Sequence, residues 1–245
     1  MGDVAWTGTP VRPHEAARDN GAEKLPWGGR RERLPLNWPF AEAIEGFRAK
    51  ALANPDYDPA ATFVWGQMMA VGLIEALKAV EERFGAEGHA VVRDALSRTG
   101  DRIVSEMTEG VEPPAEATPA ELTSLMASWI NEVCYASIES PNVDDEAHAD
   151  FDIHYCPHED VYGAFDCRVQ RYFVEGMIAA GRRAFGRGMF DVRFTSTIPS
   201  GSSVCHFDMF PKDAGASDEW NEYSDRLREK ALNIVEVRTT TRDSS

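Results

Sequence analysis

The chain has 245 residues, with 41 Asp and Glu against 25 Lys and Arg, for a formal net charge of −16. Phosphate backbones and anionic bilayers are gripped by clustered Lys and Arg, so this acidic field argues against a nucleic-acid or membrane partner. A content of 43% hydrophobic residues supplies one domain of generous size; no apolar run nears the ~18 residues of a membrane helix and residues 1–40 lack the apolar stretch of a secretory signal, so a soluble, cytoplasmic protein is expected.

Residues 1–39 mix Gly, Pro and Arg with isolated Trp6, Trp27 and Trp38, without a helical or strand period. They read as an irregular arm whose aromatics dock on the body or on a second copy of the chain, which makes the arm a route to a homo-oligomer. Residues 40–245 read as a single α+β domain, helical over 40–140 and sheet-containing over 150–238.

Ala41 to Asn54 is a helix-forming window that stops before Pro55, and Asp58-Pro59 opens the next helix as cap and first residue. Phe63, Val64, Met68, Val71, Leu73, Ile74, Leu77, Val80 and Phe84 form an apolar stripe on that helix, which Gly85 ends. A further helix covers His89 to Met107, with Val91, Val92, Leu96, Ile103 and Val104 inward. Thr118 and Glu121 have the spacing of a capping box for a helix running to Ile138. The acidic segment 144–150 reads as a solvated loop.

The pattern changes at Phe151, where Phe151 to Tyr155 alternates apolar and polar residues and predicts a strand ending at Pro157. Glu159 to Phe185 reads as one or two helices, stopped by Gly186 and Gly188. Phe190–Ile198 and Ser203–Phe210 then predict two strands joined as a hairpin, and Asp218–Asn233 a last amphipathic helix with Trp220 and Tyr223 on its apolar side.

Thiols and imidazoles concentrate in two of these strand segments. An extended His154-x-Cys156-x-His158 run would place all three side chains on one side, because side chains alternate along a strand. His206 and Asp208 share a face of their own strand, opposite Cys205 and Phe207. Neighbouring strands with those faces together would let His154, Cys156, His158, His206 and Asp208 converge. Two chemistries suit such a cluster: a divalent metal such as zinc on His154, Cys156 and His158 that activates water, or a metal-free cysteine nucleophile with an imidazole base and an orienting carboxylate. Arg193 shares a strand face with Thr195 and Thr197 and is the candidate clamp for a substrate anion. For the cysteines packing is the competing role, and for Arg193 a surface position. Cys134 on its helix and Cys167 read as packed thiols, and His89 and His148 as exposed; His14 lies in the arm.

Cys156-Pro157, Tyr172-Phe173-Val174-Glu175-Gly176, the run Thr195 to Gly201, Cys205-His206-Phe207 and the helical ending Glu82-Arg83-Phe84-Gly85 together resemble the proteins similar to L-2-amino-thiazoline-4-carboxylic acid hydrolase, over roughly Ala61 to Phe210. The resemblance implies a helical N-terminal half on a small antiparallel sheet, and hydrolytic opening of a small cyclic C–N or C–S bond. His206 stands where that family usually has an acidic residue. On this reading Cys205 or Cys156 is nucleophile or ligand, His206 and His154 carry protons, and Asp208 orients. The alternative is a non-catalytic small-molecule sensor or binding module, with the thiols and imidazoles lining an apolar pocket.

Overall fold

The computed structural model describes residues 30, 32–144, 147–186, 190–212 and 215–243, with side chains up to residue 236. Among the described residues the order is α1 (Ala41–Phe47), α2 (Ala60–Thr108), α3 (Pro119–Trp129), β1 (Ile138–Val143), β2 (Ala149–Tyr155), α4 (Arg168–Phe185), β3 (Phe190–Ser196), β4 (Cys205–Pro211) and α5 (Glu219–Asp243). The fold is α+β, with helices concentrated in the N-terminal half and a four-stranded antiparallel sheet, ordered β1-β2-β4-β3, in the C-terminal half.

Trp6 and Trp27 lie outside the described residues. The rest of the predicted arm belongs partly to the body: Leu34 and Leu36 are buried in the core, the Trp129 indole donates to the Leu34 carbonyl at 2.7 Å, and Trp38 meets Trp129 edge-on. The domain therefore begins before residue 40.

The expected stop at Gly85 is a kink within α2, where Gly85 takes φ 57° and ψ −138°, values open to a residue without a Cβ. The predicted apolar stripe needs correction. Ile74 and Leu77 are buried, but Phe63, Val64, Met68, Val71, Phe84 and, beyond the kink, Val91 are exposed. Taken by length and composition, α2 is also long and apolar enough to cross a membrane. Gly, Ala and single polar residues are interspersed along it, so it contains no unbroken apolar run of that length.

Beyond the kink, α2 packs on α4 in the most extensive helix pairing of the molecule. Its closeness is set by two glycines. A methyl at Gly100 would overlap the Phe173 carbonyl, and one at Gly176 would overlap the Ser97 carbonyl, so the two backbones touch where side chains would stand in an ordinary crossing. Beside this contact Glu81, His89 and Arg168 form a buried cluster, with His89 Nδ1 at 2.8 Å and Arg168 Nη2 at 2.9 Å from the two carboxylate oxygens. Burial pushes the Glu81 carboxyl up, but the hydrogen bonds from His89 and Arg168 outweigh it and the group sits below its ordinary value. His89 is thus fully buried, contrary to the exposed position expected of it.

Thr118 caps the helix as predicted, its hydroxyl accepting from the Glu121 N–H at 3.1 Å, while the Glu121 carboxylate accepts from Arg33 Nε at 2.8 Å. That helix ends earlier than expected, passing through a π-turn at Ile130–Cys134. Ile138 instead opens β1, which the sequence gives no alternation to betray; Pro141 is tolerated there because β1 is an edge strand. At the other side of the sheet, the buried carboxylate of Asp191 accepts from the Glu219 N–H at 2.6 Å and the Trp220 N–H at 3.4 Å, fixing the start of α5 against β3.

Candidate functional site

The two chemistry-bearing strands are direct neighbours. β2 and β4 pair antiparallel with Asp152 opposite His206, Ile153 opposite Cys205 and Phe151 opposite Phe207. With a period of two, this register sorts their side chains into two sets. Phe151, Ile153, Cys205, Phe207 and Met209 face the helices; Asp150, Asp152, His154, His206 and Asp208 face the other way.

The inward set forms one wall of a cavity of about 420 Å³. The opposite walls come from Ala127 of α3 and Ile130 of the π-turn that follows it, Val174 and Met177 of α4, and Trp220 and Tyr223 of α5. Phe151 stacks on Phe207 with centroids 4.7 Å apart, and Phe207 lies parallel to Trp220 at 6.5 Å. Polar groups enter at intervals: Cys156, His158, Cys167, Thr195, Thr197 and Ser200 all reach the lining. Arg171 borders the cavity with its guanidinium between Trp220 at 3.9 Å and Phe194 and Tyr223, each at 4.6 Å, donating to the Trp220 carbonyl at 2.9 Å. Burial lowers its pKa to about 10, and the aromatic faces around it stabilise the charge.

Cys156 and Cys205 therefore share a cavity, as the convergence required, but the HxCxH run does not stay extended. β2 ends at Tyr155 and the chain turns, so Cys156 and His158 enter the cavity while His154 points outward, its Nε2 at 2.8 Å from the Ser140 hydroxyl. The proposed metal set His154, Cys156 and His158 is thus divided between the two sides of the sheet. Inside, His158 Nδ1 lies 3.2 Å from the Gln67 amide oxygen and its ring stacks on Tyr162. Burial lowers its pKa, favouring the neutral imidazole.

Burial also pushes up the thiols. Cys156 and Cys205 are raised chiefly by desolvation, and Cys134 and Cys167 are pushed up to about 12 by the same cause. The Ile198 N–H donates to the Cys205 sulfur at 3.2 Å, which offsets part of that effect. All four cysteines are free. A thiol in this condition is a weak nucleophile, because the thiolate is the reactive form.

The outward set is a separate polar surface. His206 Nδ1 lies 2.7 Å from Asp152 and its Nε2 lies 3.3 Å from Asp208, so hydrogen bonding to Asp152 raises its pKa. Arg193 belongs here too, 3.7 Å from Asp208 and 3.9 Å from Glu219 and stacked over Phe210, so it is parted from Thr195 and Thr197, which line the cavity. On the same side Asp144, His148 and Asp150 bring three donor atoms within 4.8 Å of one another. The Asn142 amide already donates to both aspartates, at 2.7 and 3.0 Å, and so relieves their mutual repulsion without a cation.

The expected convergence joined residues of both faces of β2 and β4, whereas the cavity belongs to the apolar face alone. The signal was present in the same alternation: Phe151 and Ile153 interleave with Asp152 and His154, and Phe207 and Met209 with His206 and Asp208. The aromatic enclosure of Arg171 had no signal, since it joins residues from three elements.

No family model matches the chain. Among solved structures, a trafficking protein particle complex subunit 3 from Naegleria fowleri, covalently bound to palmitic acid, aligns with a TM-score of 0.42 at 8% identity, covering 63% of this chain and 99% of that one; so slight a likeness supports no statement about this protein. An uncharacterized protein of Archaeoglobus fulgidus is 41% identical over 225 residues, spanning 86% of this chain and 97% of its own length. Identity of that order across nearly the whole of both chains places this protein in one family with that archaeal protein.

Proposed function

We propose that the chain is a small-molecule binding module whose ligand is mainly apolar and occupies the cavity between the sheet and helices α3, α4 and α5. The carrying observation is the cavity itself: about 420 Å³, within the usual range of ligand sites, with walls mainly of stacked aromatics and aliphatic side chains, among which polar groups are fewer: hydroxyls, thiols, an imidazole, side-chain amides and arginines of α4, Arg171 among them enclosed by aromatic rings. Water is poorly held in such a space, so an apolar molecule that displaces it gains contact with every wall. A cytoplasmic setting accords with four free thiols that no disulfide consumes.

The test is titration with a panel of naphthalene-sized and medium-chain alkyl compounds, read by tryptophan fluorescence, since Trp220 borders the space. Saturable one-to-one binding that Ala127→Phe abolishes, with the fold intact by circular dichroism, is the expected result. Equal binding by that variant would remove the cavity as the site.

A second reading, ring-opening hydrolysis, has one specific observation in its favour: Cys156, Cys205 and His158 border the same cavity. In it a neutral imidazole takes the thiol proton, the thiolate adds to an amidine-like carbon, the ring C–N or C–S bond breaks, and water releases the product. Cys205→Ser would abolish turnover of a cyclic amidine on this reading, yet leave ligand binding intact on the first.

A further inference from the structure

We infer that the exposed face of α2 ahead of the kink is the contact surface of a two-fold homodimer, with the same helix of a second copy as its partner. The described large apolar side chains that are exposed lie, all but Val161, between Phe40 and Val91. Six of them stand on one stretch of α2, at 37–66% exposure, and at about 100° per residue five, Val64, Trp65, Met68, Met69 and Val71, fall within about a half-turn of the side that Gly72 occupies, while Phe63 lies across from it. At roughly half of ~200 Å² per large side chain these five present on the order of 500 Å². Ala76, Ala79 and the helix backbone extend this toward the ~800 Å² that each partner contributes to a stable interface.

Charge selects a second copy. Two chains of net charge −16 repel wherever acidic surfaces meet. From Ala60 to Leu77 the only charged side chain is Glu75, which Lys78 holds at 3.0 Å, so this face can approach its own image without that cost. Gly72 sits near the middle of the stretch, where a Cβ would meet nothing within 4 Å. A glycine inside a helix costs about 1 kcal/mol relative to alanine, and packing among the described residues of the subunit offers no reason for it. Backbone contact between two copies does, by the device that already joins α2 to α4 at Gly100 and Gly176. Crossing at Gly72 would set each Met68 against the partner's segment around Ala76, an arrangement that a two-fold axis repeats and closes.

A bilayer fits the same face less well. The opposite side of the helix is pinned to the body: the Gln67 amide donates to the Pro157 carbonyl, the Tyr162 hydroxyl donates to the Ala70 carbonyl at 3.0 Å, and Ile74 and Leu77 are in the core. The helix therefore cannot be surrounded by lipid, and a helix lying on a membrane surface needs the Lys and Arg that this stretch lacks.

Sedimentation equilibrium of the full chain decides. The expected mass is twice 27.2 kDa, and Met68→Glu, which buries a carboxylate in each half of the interface, should weaken dimerisation on the order of 100-fold or more. Val161→Glu, at an exposed apolar side chain outside α2, should leave the mass unchanged. If Met68→Glu disturbs folding by circular dichroism, Gly72→Cys provides the second measurement: a cross-linked dimer under oxidation that the wild-type chain does not form. A wild-type monomer at tens of micromolar, a Met68→Glu dimer, or a monomer that instead floats with phosphatidylcholine vesicles would overturn the assignment.

Discussion

Cys205 and His206 are consecutive in the chain and stand on opposite sides of β4, the thiol in the apolar cavity and the imidazole between Asp152 and Asp208 on the outer face. A thiol–imidazole pair formed by these two neighbours is therefore ruled out by the pleat. The imidazole that lines the cavity is that of His158, beyond the end of β2.

Alkylation of the native protein should reflect the raised thiol pKa values. Iodoacetamide should modify Cys156 and Cys205 slowly at neutral pH, with a rate still rising above pH 9, and a cavity ligand should slow it further. Peptide mapping of the labelled sites checks this; rapid, pH-independent labelling of one of them would instead mark an activated nucleophile.

His206 should titrate above its ordinary 6.5, because the Asp152 hydrogen bond favours the imidazolium. The stabilisation is complete below pH 6.5 and is lost as pH rises through the higher folded value, since the unfolded chain gives up its proton first. Proton NMR of the ring should place the midpoint above 6.5, and Asp152→Asn should move it down.

Glu81→Gln should destabilise the fold by about 3–5 kcal/mol, as it removes the negative partner of a buried guanidinium. Arg168 retains the more distant Asp166 at 3.7 Å and the Phe165 face, which hold the loss within that range. Urea unfolding of the variant measures it.

Asp191→Ala should cost about 1–2 kcal/mol through the unsatisfied N–H groups at the start of α5. It should also loosen Trp220 and with it the cavity wall, so thermal stability and ligand affinity should fall together in calorimetry.

The elements bounded by strong local chemistry were legible in the sequence. Thr118 and Glu121 announced α3, Gly186 closed α4, and alternation marked β2 and the β3–β4 hairpin. Elements without a local signature were not: β1 carries Pro141 and a buried Glu139 whose carboxylate is satisfied by Ser128 and Asn131, contacts that only tertiary structure supplies. The face of α2 was misread for a related reason. Its apolar residues encircle much of the helix, and spacing alone cannot say which of them meet the body. In the site, the pairing of Cys156 with Cys205 was within reach, but the loss of His154 from that group followed from a turn after Tyr155 that Pro157 only hinted at.

The bare crossing of α2 and α4 also constrains how anything reaches the interior. Two helices in backbone contact at Gly100 and Gly176 have no side-chain cushion to compress, so prising them apart breaks that contact outright. On the proposed reading, whatever adjustment a guest calls for falls to α3, α5 or the β3–β4 connection, with the glycine seam serving as the fixed jamb beside them.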